Sequence, residues 1–127
     1  MSIEDSQHDI SNRIMNDSGV QITAVTLDEL LDDLHIREPS LIKMNIEGAE
    51  TAALRGAYRT LQSNARWVVS CHDFVSHLPG YESSATYSEV YAAIKESGLQ
   101  ISPSRVDDRP WIPFYIYAHR NVVPDCT

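Results

Sequence analysis

Apolar and polar positions switch between two periods along this chain. Val20–Val25 alternates, as a strand with one buried face does. Leu27, Leu30, Leu31 and Leu34 then recur at helical spacing. They come after Thr26-Leu27-Asp28-Glu29, a sequence able to close a capping box in which the Thr hydroxyl takes a backbone N–H and the Glu reaches back. This predicts a short amphipathic helix to about His35, ended by Glu38-Pro39-Ser40. Leu41–Ile46 reads as a strand that runs directly into Glu47-Gly48-Ala49-Glu50 and a helix with Leu54, Ala57, Tyr58 and Leu61 as its buried stripe. Arg66–Cys71 is the next strand, closed by His72-Asp73-Phe74, and Val75–Ala85 is a loop. Thr86-Tyr87-Ser88-Glu89 is a second capping-box sequence, opening a helix that carries Val90, Tyr91 and Ile94 and stops at Gly98. Leu99–Ser102 and Phe114–His119 are the last strands, separated by the polar, proline-punctuated stretch 103–113.

Strands alternating with helices predict an α/β domain with a mostly parallel sheet and helices on its faces. In such sheets ligands gather beyond the C-terminal ends of the strands. Two of those ends carry polar clusters: Asn45, Glu47 and Glu50 after one strand, His72 and Asp73 after the next. Adjacent strands lie ~4.8 Å apart, so neighbouring strands would bring Asn45 and His72 to one crevice. We divide the chain into a lead-in (1–19), a domain (20–119) and a tail (120–127).

Composition narrows the partners. The 127 residues fit one domain. Ten basic against 18 acidic residues give a formal net charge of −8, which disfavours nucleic acid and anionic membrane surfaces. No run approaches the ~20 apolar residues of a membrane span. The acidic, polar start does not read as a secretory signal, so a cytoplasmic setting is expected. Cys71 and Cys126 are too few and too far apart for a disulfide framework or a zinc site, so no metal is assigned.

Lys43-Met44-Asn45-Ile46-Glu47-Gly48-Ala49-Glu50, then Leu54-Arg55-Gly56-Ala57, resembles the hallmark of FkbM-type methyltransferases. Val25-Thr26-Leu27-Asp28-Glu29-Leu30 also resembles the segment that family places just upstream, and the resemblance covers roughly residues 20–119. It implies the C-terminal half of a Rossmann-like methyltransferase sheet whose last strand is antiparallel. It further implies an S-adenosylmethionine-dependent O-methyltransferase acting on a hydroxyl of a sugar or polyketide-like acceptor. Leu41–Ile46 and Arg66–Cys71 would be the fourth and fifth strands. The first three strands have no counterpart, nor has the glycine-rich cofactor turn: the five glycines, at 19, 48, 56, 80 and 98, form no Gly-x-Gly. The chain alone is therefore expected to bind S-adenosylmethionine weakly or not at all. An open edge on Leu41–Ile46 would invite homodimerisation, or shielding by residues 1–25.

The resemblance does not assign roles to His72 and Asp73; position does. His72, with an ordinary pKa of ~6.5, is the candidate general base and Asp73 its orienting partner, together the expected catalytic residues. Asn45 is the expected cofactor contact, in place of the family's common aspartate. Glu47 and Glu50 are the expected substrate contacts. Plainer roles remain open. Glu50 can simply favour the helix N-terminus or pair with Arg55 or Lys43, and His72 can be an ordinary hydrogen-bonded strand-end histidine. Two other functions also remain open: a cofactor-free binding or assembly module, and a metal-dependent hydrolase using Glu47, Glu50, His72 and Asp73.

Overall fold

The computed structural model describes residues 20–121 and, within the lead-in, the short strands β1 (Ser2–Ile3) and β2 (Ile14–Met15). Cys126 lies outside the described residues. β3 (Val20–Gln21) pairs with β1, which also pairs with β2, all antiparallel. The expected strand Val20–Val25 thus forms over two residues only, and Ile22 and Val25 remain exposed.

The remaining elements are α1 (Leu27–Asp33), β4 (Leu41–Met44), α2 (Glu50–Arg55), α3 (Tyr58–Gln62), β5 (Arg66–Ser70), α4 (Tyr87–Glu96), β6 (Gln100–Ser102) and β7 (Tyr115–His119). The main sheet has the order β4-β5-β7-β6. Only β4 and β5 are parallel; β7 runs antiparallel to both β5 and β6. The last strand is antiparallel, as the family resemblance implies, but the sheet as a whole is mixed rather than mostly parallel. The reason is that β6 returns through residues 103–114 as a hairpin, and β7 slots between β5 and β6. β4 has β5 as its one partner in this sheet, so it is the edge strand among the described residues.

Cross-strand register explains the core. Trp67 faces Ala118 and Val69 faces Ile116, and all four are buried. They share one hydrophobic cluster with Leu54, Leu61, Val90 and Ile94 from the helices. Alternation sends Val68 and Tyr117 to the opposite face, where Tyr117 is 39% exposed. The helices thus cover one face of the sheet among the described residues, where the sequence pattern predicts cover on both.

The Thr26 capping box closes as its sequence predicts: Thr26 Oγ1 accepts from Glu29 N (3.1 Å) and Glu29 Oε2 accepts from Thr26 N (2.9 Å). Helix α1 ends earlier than Pro39 requires. His35 adopts φ 56°, and two bonds, His35 N–H to Asp32 O and Ile36 N–H to Leu31 O, close a Schellman motif there. Only Leu31 of the predicted stripe is buried, with Leu30 and Leu34 exposed.

The helix expected from Glu50 to Leu61 is broken at Gly56-Ala57, and Tyr58 is 76% exposed rather than buried. The break has a cause in α1. Asp28 N–H donates to Gly56 O, and the Asp28 carboxylate accepts from Arg59 N, Thr60 N and the Thr60 hydroxyl. Asp28 thereby caps α3 from another element, and these bonds, with charge from Arg59, hold its carboxyl below the usual range despite the opposing cost of burial, the largest single influence on it.

Gly56 fits because it lacks a side chain: a Cβ there would stand 2.9 Å from Thr26 Cβ. Gly56→Ala is expected to cost about 1–3 kcal/mol through overpacking, read as a lower urea midpoint with an unchanged m-value.

Candidate functional site

The parallel pairing of β4 with β5 sets Met44 opposite Val69, so both strands end at the same side of the sheet. β7 starts there as well, since Ser70 pairs with Tyr115. Three segments meet at this end: the turn leaving β4, the turn leaving β5 and the stretch that enters β7.

After β4 the backbone turns sharply. Glu47 has φ 53° and Gly48 φ 95°. For Glu47 the left-handed conformation costs roughly 1–2 kcal/mol, and residues held this way gather at functional sites. Gly48 is required twice over: by its φ and by close packing, since a Cβ would meet Ser84 Cα at 3.2 Å. The turn leaves Asn45 exposed and Glu47 with a side chain 29% exposed, and drives Glu50 fully inside.

Glu50 is 0% exposed, and its charge is met by donors from three segments. Oε2 accepts from the Thr86 hydroxyl at 2.8 Å, and Oε1 accepts from Gly48 N–H at 3.2 Å and lies 3.3 Å from His72 Nδ1. Burial by itself raises the Glu50 pKa and is the largest influence, yet hydrogen bonds from His72, Thr86 and backbone N–H groups together outweigh it and leave the carboxyl below its ordinary value. Neither Lys43 nor Arg55 is its partner; His72 and Thr86 are.

The other nitrogen of His72, Nε2, lies 3.1 Å from Glu47 Oε1. With both ring nitrogens facing carboxylate oxygens, the imidazolium is the form that satisfies both contacts. The hydrogen bond to Glu50 raises the His72 pKa above its ordinary value; desolvation opposes this, and the charges of Glu47, Glu50 and Asp73 add to the rise.

Asp73 is turned elsewhere. Its Oδ2 accepts from Thr86 N–H (3.2 Å) and Tyr87 N–H (3.0 Å), so it caps α4. The capping box expected at Thr86-Glu89 is absent: Thr86 makes no side-chain cap bond. Its hydroxyl serves Glu50, and Asp73 supplies the missing acceptor. Thr86 is the site residue that sequence reasoning missed. Cys71, buried beside this network, has its thiol pushed up to about 12, first by desolvation, and stays protonated as expected of a core residue.

The structure therefore unites Glu47, Glu50 and His72 in one network, places Asp73 beside it as a helix cap, and leaves Asn45 exposed on the rim. The two carboxylates sit at opposite nitrogens of one ring rather than converging on a point. Among the described residues no group of three or more His, Cys, Asp and Glu side chains is arranged to hold a metal ion. Among the described residues, too, no helix is long and apolar enough to cross a membrane.

A mixed α/β sheet with a polar strand-end site fits a methyltransferase domain. The family model for the methyltransferase FkbM domain matches residues 1–100, and the chain belongs to that family. No curated protein and no solved structure was found to match the chain. The family match takes in the lead-in and ends at β6, before β7. Membership implies S-adenosylmethionine as the methyl donor of the intact family.

The network sets two expectations for stability. Glu50→Ala leaves His72 and Thr86 without their buried partner and should cost about 3 kcal/mol in urea unfolding. The pH dependence has two arms. Glu50, lowered on folding, contributes stability above its ordinary value of 4.5 that is lost as pH falls through the folded value. His72, raised on folding, contributes stability fully present below 6.5 and lost as pH rises through its higher folded value. Urea midpoints should peak between these limits, and His72→Gln should abolish the decline on the alkaline side.

Proposed function

We propose that the strand-end site of this chain receives the acceptor in S-adenosylmethionine-dependent O-methylation of a small hydroxylated molecule such as a sugar or polyketide-like compound. The observation that carries this reading is the Glu47 carboxylate, held at a strained backbone position by His72 at 3.1 Å, on the open side of a buried support. Family membership supports the reaction class, and the strand-end position supports the place.

S-adenosylmethionine supplies an electrophilic methyl group on a sulfonium. The described residues do not enclose such a molecule. The turn after β4 is open, Asn45 and Ile46 are exposed, and no Gly-x-Gly turn among the described residues faces them. The contribution of these residues is on the acceptor side, where alignment of the attacking hydroxyl supplies much of the rate.

Glu47 is the residue placed to touch that hydroxyl. One of its oxygens faces His72, and its side chain keeps contact with solvent. It can take the acceptor's hydrogen bond and, as the C–O bond forms, its proton. His72, with both nitrogens toward carboxylates, is better suited to fix Glu47 than to act as base. Glu50, itself held by the Thr86 hydroxyl, fixes His72 in turn, so these are positioning residues. Asp73 aligns α4 and with it Thr86. Asn45 adds an exposed amide at the rim, able to bond either acceptor or donor.

The test is methyl transfer to a panel of small hydroxylated acceptors, with labelled S-adenosylmethionine in large excess to offset the weak binding expected of this chain. A labelled methyl ether is expected, formed about 10²-fold more slowly by Glu47→Gln. Label on nitrogen or sulfur, or an unaffected Glu47→Gln, would count against the reading.

A further inference from the structure

An aromatic series leads away from His72. Its ring lies 5.6 Å from Phe74, and Phe74 lies 6.4 Å from Trp111 at an interplanar angle of 58°. These spacings fall within the range of favourable ring contacts. Topology explains why they meet: Phe74 comes after β5, Trp111 comes before β7, and those two strand ends are paired at Ser70–Tyr115. Trp111 keeps 39% of its surface exposed, and Ile46, on the turn after β4 at this same end of the sheet, keeps 37%.

The loop around Trp111 is braced. The Arg109 guanidinium is bound twice by the Asp107 carboxylate, Nε to Oδ1 at 2.8 Å and one terminal nitrogen to Oδ2 at 2.7 Å. The guanidinium carbon stands 5.9 Å from the centre of the Trp111 ring, a cation–π distance. Arg109 is thus already neutralised by its neighbour and is not a free cation awaiting an anionic ligand. It steadies the indole.

The geometry points to Trp111 and Phe74 as the aromatic wall of the acceptor site, selecting an uncharged ring that bears hydroxyl groups. This rests on the proposed role of Glu47 in receiving the acceptor. A saturated ring presents an apolar C–H face and a polar rim. A part-exposed indole at the same end of the sheet as the Glu47 carboxylate offers a partner for each, the mixture of apolar and polar groups usual in a small-molecule site. Phosphorylated or carboxylated rings are disfavoured, since the part-exposed Glu47 carboxylate stands at this end of the sheet, Arg109 is already bound by Asp107, and the chain carries a net charge of −8. An organic cation is the alternative ligand that aromatic rings and carboxylates would share.

Saturation-transfer NMR on the whole chain distinguishes these, with a methyl hexoside, a hexose phosphate and tetramethylammonium as separate probes. The methyl hexoside should respond, with affinity falling roughly fivefold or more in Trp111→Ala and largely kept in Trp111→Phe. Tyr58→Ala, which alters an exposed ring on α3, should leave the response unchanged. The proposal is overturned by no hexoside response, by a stronger response from the phosphate or the cation, or by a Trp111→Ala protein that matches the parent. Glu47→Gln separates the two readings. If Glu47→Gln keeps the parent rate of methyl transfer while Trp111→Ala loses the hexoside response, the wall stands and the role given to Glu47 falls.

Discussion

A carboxylate with no exposure to water is the constraint on which this site is built. Taking Glu50 inside costs several kcal/mol unless the charge is met, and it is met by the Thr86 hydroxyl, the Gly48 N–H and the His72 ring. Those donors come from the start of α4, the turn after β4 and the end of β5. Each must stand in place for Glu50 to remain charged, so one buried group fixes the relative positions of three segments. A shift of any one would leave an unpaired charge in the core, a much larger penalty than a lost surface contact.

The same competition for partners explains two rearranged helix ends. Thr86 sits where a helix cap belongs, but its hydroxyl is committed to Glu50, and Asp73 caps α4 from the end of β5. Asp28, in the first turn of α1, does the same for α3 and packs its own backbone against Gly56. Both caps are tertiary contacts. They tie helices to strands and to other helices in a way a local capping box cannot, while the Asp28 N–H to Gly56 O bond and the packing of Gly56 on Thr26 make the Leu54–Ala57 and Val25–Leu30 segments parts that touch.

Local and distant partners also divide what is readable in the sequence from what is not. The strand–turn–helix junction at Leu41–Glu50 is legible because local pattern and fold agree there: an apolar run, a glycine that needs positive φ, and a carboxylate leading the helix. The Thr26 box is legible for the same reason, since it closes on itself. The Thr86 box is not, because the same kind of local pattern loses its hydroxyl to a residue 36 positions away. The long helix through Gly56 misleads because its break depends on Asp28 and Thr26. The sheet's mixed direction is hidden from the local pattern for a similar reason, since which strand β7 pairs with is a property of the whole chain; only the family resemblance implies that the last strand is antiparallel. At the site, pattern brings Glu47, Glu50, His72 and Asp73 to one end of the sheet but cannot order them by role.

The ordering comes from burial. Exposure falls from Glu47 to His72 to Glu50, with side chains 29%, 8% and 0% exposed. A group that contacts a substrate must reach it, and a group that holds another in place must not be competed away by water. On the proposed function, the gradient sets the direction in which the network acts: Glu50 is anchored, His72 transmits that anchoring, and Glu47 presents it at the surface. The left-handed backbone at Glu47 fits the same direction, since a strained residue persists only where its surroundings over-determine it.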